Sequence, residues 1–127
     1  MRYLLDTCAM IWLAMGGGDL SLDARRRISM ASALHYSPIS VWEIARLIKE
    51  DKVFIPNSAT DFVADLKEQY GLDAIPLTDD IMIRAAQLPD VHKDPADRII
   101  IATSLAHDLT IVTGDSKFPQ YGVRTIC

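Results

Sequence analysis

The sequence predicts an α/β protein built on a parallel sheet. Short apolar runs alternate along the chain with helical segments of about ten residues, the rhythm of strand–helix–strand units. The helical segments open on Ser, Thr or Asp and several close on Gly or Pro, so the punctuation agrees with the periodicity. Acidic residues stand where apolar strands run out and where helices begin. In a parallel sheet those ends share one rim, and ligands bind there.

Arg2 to Leu5 reads as the first strand, ending at Asp6-Thr7. Cys8 to Met15 (CAMIWLAM) is apolar on nearly all sides and reads as a helix packed on a sheet, stopped by Gly16-Gly17-Gly18. Ser21 is expected to cap a second helix from Leu22 to Ala33, with Ile28, Ala31 and Leu34 inward and Arg25-Arg26-Arg27 outward. His35 to Pro38 is a brief strand. In the helix SVWEIARLIK, Ser40 and Glu43 have the spacing of a capping box. Val41, Trp42, Ile44, Ala45 and Ile48 supply its apolar face, and Glu43, Arg46 and Glu50 its polar one. Lys52 to Pro56 connects to a helix capped by Thr60, running through Tyr70 and closed by Gly71. Ala74 to Leu77 is another strand, and Thr78 caps a helix to Leu88 that Pro89 ends.

Asp94-Pro95 is a strong helix start, a capping oxygen followed by proline at the first helical position. Ile99, Ile100, Ile101, Ala102, Leu105 and Ala106 make this helix apolar almost all round, so it belongs at the centre. Thr110 to Thr113 reads as a buried strand, and Val123 to Ile126 as a closing edge strand. There is no internal repeat and no low-complexity tract.

With 127 residues, the chain suits one domain with a real hydrophobic core. No apolar run approaches the roughly 20 residues needed to span a bilayer. The N-terminus enters a strand pattern directly, without a signal region, which points to the cytoplasm. Cys8 and Cys127 imply no disulfide framework. A formal charge of −4 argues against a basic nucleic-acid coat. It leaves room for a nucleic-acid enzyme whose carboxylates are covered by divalent cations.

Each acid also has a plain reading. Glu43 would complete the Ser40 cap or pair with Arg46, Asp97 would favour the positive end of a helix, Asp115 would serve a turn, and Asp6 would cap a helix. Taken together they share the carboxyl rim of the sheet. Clustered carboxylates cannot all stay ionised without cations, and an oxygen-only set suits Mg²⁺ or Mn²⁺ rather than zinc. The chemistry that fits is metal-assisted displacement at phosphorus. His35, His92 and His107 lack metal-ligand spacing and read as surface or capping residues. Cys8 lacks a local base, Gly16 to Gly18 follow a helix rather than a strand, and Trp12 and Trp42 read as core or near-core anchors.

The segments LLDTCAMIWL (Leu4 to Leu13), SPISVWEIARL (Ser37 to Leu47), HKDPADRIIIATSL (His92 to Leu105) and IVTGD (Ile111 to Asp115) together resemble PIN-domain proteins, and more closely the VapC-type toxins of type II toxin–antitoxin modules. The likeness covers the whole chain, in order. It implies a single PIN domain over residues 1–127, with a three-layer α/β/α fold around a central parallel sheet, acting as a Mg²⁺-dependent endoribonuclease. By motif position the catalytic acids are Asp6, Glu43, Asp97 and Asp115. Asp6 and Asp97 are the principal metal ligands, and Glu43 and Asp115 complete the pocket directly or through water. Asp94 is assigned to the helix cap, with a supporting role at most. Arg98 contacts phosphate or pairs with a site acid, an ordinary surface salt bridge being the alternative. Thr7 and Thr113 would orient ligands. The implied partners are an RNA substrate, a cognate VapB-type antitoxin that inhibits the enzyme, a second copy in a homodimer, and operator DNA only through the antitoxin. No membrane is involved.

Two other readings stand beside this one. A non-catalytic module would bridge an antitoxin to operator DNA, although pure binding would not need a self-repelling acid cluster. Phosphoryl transfer through Asp6 would want further acids beside the first strand, where this chain has Cys8.

Overall fold

Strands are separated by pairs of helices along most of the computed structural model, which describes residues 1–127. In chain order the elements are β1 (Arg2–Leu5), α1 (Thr7–Ala14), α2 (Leu22–Ser29), β2 (Ala33–Tyr36), α3 (Pro38–Lys49), α4 (Ala59–Tyr70), β3 (Leu72–Ala74), α5 (Asp79–Gln87), α6 (Pro95–His107), β4 (Thr110–Val112), a 3₁₀ turn (Phe118–Tyr121) and β5 (Thr125–Ile126). The strands form one sheet in the order β3-β2-β1-β4-β5, and every pairing is parallel. From β1 the chain builds β2 and β3 on one side, then returns to lay β4 and β5 on the other. The carboxyl ends of β1 and β4 therefore flank the point where the winding reverses, the position at which open α/β sheets bind ligands.

Side chains alternate across each strand and divide the interior in two. Tyr3, Leu5, Leu34, Tyr36 and Val112 face one core with Met10, Ile28, Ile44 and Leu66. Leu4 and Ile111 face the other with Ile81, Ile100, Ile101 and Phe118. Helices α1 to α4 contribute to the first core, and α5 and α6 to the second, which gives the three layers. No helix is long and apolar enough to cross a membrane.

Several boundaries differ from the sequence expectation for physical reasons. Helix α2 ends at Ser29, and Ser32 turns into the sheet by bonding its N–H to the Met1 carbonyl at 3.0 Å. Leu34 is therefore a strand residue of β2, not the inner face of a helix. Helix α4 is capped by Ser58, whose hydroxyl accepts from Asp61 N–H, rather than by Thr60. Gly71, at φ 67°, ends it in the left-handed conformation and feeds straight into β3. That strand pairs upstream of the expected Ala74 to Leu77, because Pro76 has no N–H for a ladder. Helix α6 is buried from Ala96 to Ser104 apart from the first-turn pair Asp97 and Arg98, but Leu105 reaches solvent. His35 is not a surface residue: both ring nitrogens are covered, and burial holds its pKa below the ordinary value.

Candidate functional site

Asp6 follows β1 directly. Its N–H continues the sheet by donating to the Val112 carbonyl, and its carboxylate caps α1 by accepting from Ala9 N–H at 2.8 Å. Thr113 adds a side-chain hydrogen bond to the same carboxylate. The next residue, Thr7, donates its hydroxyl to Glu43 Oε1 and lies 2.9 Å from Ser40 Oγ. These contacts cross from α1 to α3 and fix Glu43 in the interior, where it is only 9% exposed.

The capping box expected at Ser40 and Glu43 does not exist. Helix α3 starts one turn earlier, capped by Ser37 with Pro38 at its first position. Ser40 and Glu43 then lie together with Ile44 on the buried face, the spacing at which helical side chains share a side. This rotation sends Trp42 outward. It is 57% exposed, with the Arg46 guanidinium stacked 5.0 Å from its ring centre, and is not a core anchor.

Asp94 is the α6 cap, accepting from Ala96 N–H at 2.9 Å. Asp97 stands in the first turn of the same helix, half-buried. Asp115 lies in the turn after β4, where its Oδ1 accepts from Lys117 N–H and its own N–H donates to Thr113 Oγ1. His92, read from sequence as a surface or capping residue, is buried between these two acids. Its Nε2 is 2.8 Å from Asp115 Oδ2 and 3.0 Å from Asp97 Oδ2. Arg98 pairs with none of the site acids. Its guanidinium donates to the carbonyls of Ala85, Ala86, Leu88, Pro89 and His92, with exposed Asp90 as its nearest acid at 3.5 Å. It ties the end of α5 to the loop before α6.

The four acids line one open pocket of about 690 Å³, together with Thr7, Cys8, Asp19 and Asp94. Gly114 closes one side. A Cβ there would come within 3.2 Å of the Trp12 ring, so the indole packs against bare backbone. A second pocket of about 680 Å³ beside Leu13, Ile28 and Tyr70 has Arg25 as its single charged lining residue and gathers no acids.

Electrostatics sets the acids apart. Burial raises the Asp6 pKa to about 6, against hydrogen bonds from Thr113 and Ala9 that lower it; the charges of Glu43 and Asp115 add to the rise. Burial and then the charges of Asp94, Glu43, Asp6 and Asp115 push Asp97 up to about 8. Glu43 is raised too, by burial working against the Thr7 bond. Asp115 moves the other way: its burial is outweighed by bonds from Lys117 N–H and His92. Asp97 is the more buried of the two and is crowded by four other carboxyl groups, while Asp115 is more open and has the Lys117 bond, which accounts for the two neighbours diverging. Burial and the same acids push the Cys8 thiol up to about 11, so it is no nucleophile near neutrality.

Oxygen donors dominate the pocket. The ligand-capable atoms of His92, Asp97 and Asp115 lie within 4.8 Å of one another. Raised carboxyl groups gathered in this way are relieved by a bound cation, so the residues fit a hard divalent ion.

Sequence reasoning missed His92 because its partners lie 5 and 23 residues away, beyond any local spacing. It missed the Thr7–Ser40–Glu43 contact by starting α3 late, although Ser37-Pro38 carries the same cap-then-proline signal as Asp94-Pro95.

The PIN domain family model matches residues 3–123. Ribonuclease VapC22 of Mycobacterium tuberculosis is 29% identical over 119 residues, covering 93% of this chain and 90% of that protein. Among solved structures, VapBC2 from Rickettsia felis, bound to a DNA fragment from its promoter, superposes with a TM-score of 0.73 at 15% identity, over 98% of this chain and 97% of its counterpart. DNA-bound VapBC from Salmonella typhimurium gives a TM-score of 0.70 at 18% identity, over 98% and 96%. A parallel sheet with an acidic pocket at its switch point, and a family match across nearly the whole chain, lead to one assignment: this chain belongs to the PIN domain family.

Proposed function

We propose that the chain is the toxin of a type II toxin–antitoxin module, a metal-dependent endoribonuclease held inactive by a cognate VapB-type antitoxin. The observation that carries this reading is the pocket itself. Asp6, Glu43, Asp97 and Asp115 come from separate elements yet line one cleft, and burial and mutual repulsion disfavour the charges of Asp6, Glu43 and Asp97 in the absence of a cation. The relative named a ribonuclease, and the VapBC structures solved on DNA, support the same reading. Residues 1–127 act as a single PIN domain.

Asp6 and Asp97 are the principal ligands for Mg²⁺, with Mn²⁺ a substitute. Glu43 and Asp115 complete the set directly or through water. When bound, such an ion lowers the pKa of water and covers charge developing on phosphate. Thr7 holds Glu43, and Thr113 holds Asp6 and the turn that carries Asp115. Cleavage of an RNA phosphodiester in this way leaves a 5′-phosphate and a 3′-hydroxyl. The protein works in the cytoplasm as a homodimer, without a membrane, and reaches operator DNA only through its antitoxin.

The test is cleavage of total RNA with Mg²⁺ or EDTA, comparing wild type with Asp6→Ala and Asp97→Ala. Cleavage should require the ion and both acids, and 5′-end mapping should find phosphate. Cutting that survives EDTA and both substitutions would refute the reading. A protein that captures antitoxin but cuts no RNA with any ion would be a binding module instead.

A further inference from the structure

His92 is fastened from every side. Its backbone N–H meets the Tyr121 hydroxyl at 2.7 Å, its carbonyl accepts from Arg98, and its ring stands edge-on to Phe118 with centroids 5.8 Å apart. The ring nitrogens are distinguishable. Asp94 N–H donates to Nδ1 at 3.2 Å, so Nδ1 is the acceptor and Nε2 carries the hydrogen. That hydrogen points to Asp115 Oδ2, while Asp97 Oδ2 rests against the same nitrogen at 3.0 Å. An imidazole in this tautomer has no lone pair at Nε2 for a cation. Its place is behind the carboxylates.

We propose that His92 is a positioning residue, which sets the spacing of Asp97 and Asp115 so that the two carboxylates receive a divalent cation together. This rests on the metal-dependent reading of the pocket. Asp97 belongs to α6 and Asp115 to the turn after β4, and no other side chain contacts both carboxylates at these distances. Without a shared contact, nothing else fixes the spacing of two carboxyl groups carried by separate elements. The Nε2 contact holds them together from the side away from the pocket, and the Asp94 N–H holds the ring from turning over. Groups that hydrogen-bond to metal ligands in this manner change metal affinity by about 10–100-fold when removed.

Two substitutions separate positioning from packing. His92→Phe keeps a ring against Phe118 and loses the Nε2 hydrogen. His92→Gln keeps an N–H donor at similar reach and loses the ring. Mn²⁺ binding is measured directly, by electron paramagnetic resonance of the free ion and by calorimetry, at fixed pH and without RNA. The phenylalanine variant should bind Mn²⁺ about tenfold or more weakly, while the glutamine variant stays within about threefold of wild type. Unfolding by urea without metal checks that both variants are folded; if the phenylalanine variant is not, His92→Gln against His92→Leu repeats the comparison. Equal losses in both variants, or unchanged or tighter binding without the donor, would overturn the proposal. Because ion binding is the readout, wild type that binds Mn²⁺ but cuts no RNA would count against the ribonuclease reading and leave this one intact. Wild type that binds no Mn²⁺ at all would overturn both.

Discussion

Asp6 and Glu43 are secured by regular elements, whereas Asp97 and Asp115 depend on an irregular loop. In the first pair, the α1 cap fixes Asp6 and a hydroxyl on α1 reaches across to Glu43 on α3, all within the α1–α4 layer. In the second pair, the link is His92, held in turn by Arg98, Tyr121 and Phe118. The first arrangement is paid for by folding the helices. The second needs a separate set of contacts to order the chain between Leu88 and Asp94. A site assembled in both ways should respond differently when each support is cut.

The largest effect should come from the acids themselves. Asp6→Asn and Asp97→Asn should each reduce metal-dependent RNA cleavage by more than about hundredfold, since even outer hydrogen-bond partners of metal ligands cost about 10–100-fold. Glu43→Gln and Asp115→Asn should cost nearer tenfold if they complete the set rather than anchor it. Equal losses at all four positions would erase the distinction between principal and completing ligands.

Arg98→Ala tests the loop-held half alone. The side chain is mostly buried and satisfies five carbonyls. Hydrogen bonds from a charged donor contribute about 1.5–3 kcal/mol each and are not additive. Urea unfolding should show a loss of about 2–4 kcal/mol in total. Unchanged stability with weakened RNA cleavage would instead return Arg98 to the phosphate.

The halves also answer to pH. The folded values of Asp6 and Asp97 are raised to about 6 and about 8, so their stabilising effect is complete below the unfolded value of 3.8 and is lost as pH rises through the folded ones. Asp115 is lowered, so its contribution is present above 3.8 and is lost as pH falls through its folded value. His35, held below its ordinary 6.5, works in the opposite sense below that pH, so the metal-free protein should melt at progressively lower temperature between about pH 6.5 and about pH 8, the upper part of the fall belonging to Asp97. Differential scanning calorimetry of Asp97→Asn should show that upper part flattened. A profile that rises over this range would contradict the sign.

Thr7→Val should cost cleavage no more than Glu43→Gln does, at most about tenfold, because it frees Glu43 without removing a carboxylate. Thr7→Ser keeps the hydroxyl and should restore it.

The same division governs what the sequence reveals. Caps, strand ends and the acids beside them are local events, and Asp6, Asp94 and Asp115 stand where the residue pattern puts them. Helix α3 misleads because the site occupies its inner face. With Ser40 and Glu43 turned inward beside Ile44, polarity no longer marks the solvent side, and the apolar Trp42 is left outside. His92 is illegible for a different reason: its role arises from the meeting of a loop, a helix start and a strand end distant in sequence.

The proton that Asp97 retains up to about pH 8 has a consequence for calorimetry. Ligating a cation requires an ionised carboxylate, so uptake of an ion near neutrality must expel that proton to the solution. The heat of binding then contains the ionisation enthalpy of whichever buffer accepts it. Titrations in two buffers of unlike enthalpy should give different heats for one underlying event, and the slope between them counts the protons released. Asp97→Asn should bring the two heats close together.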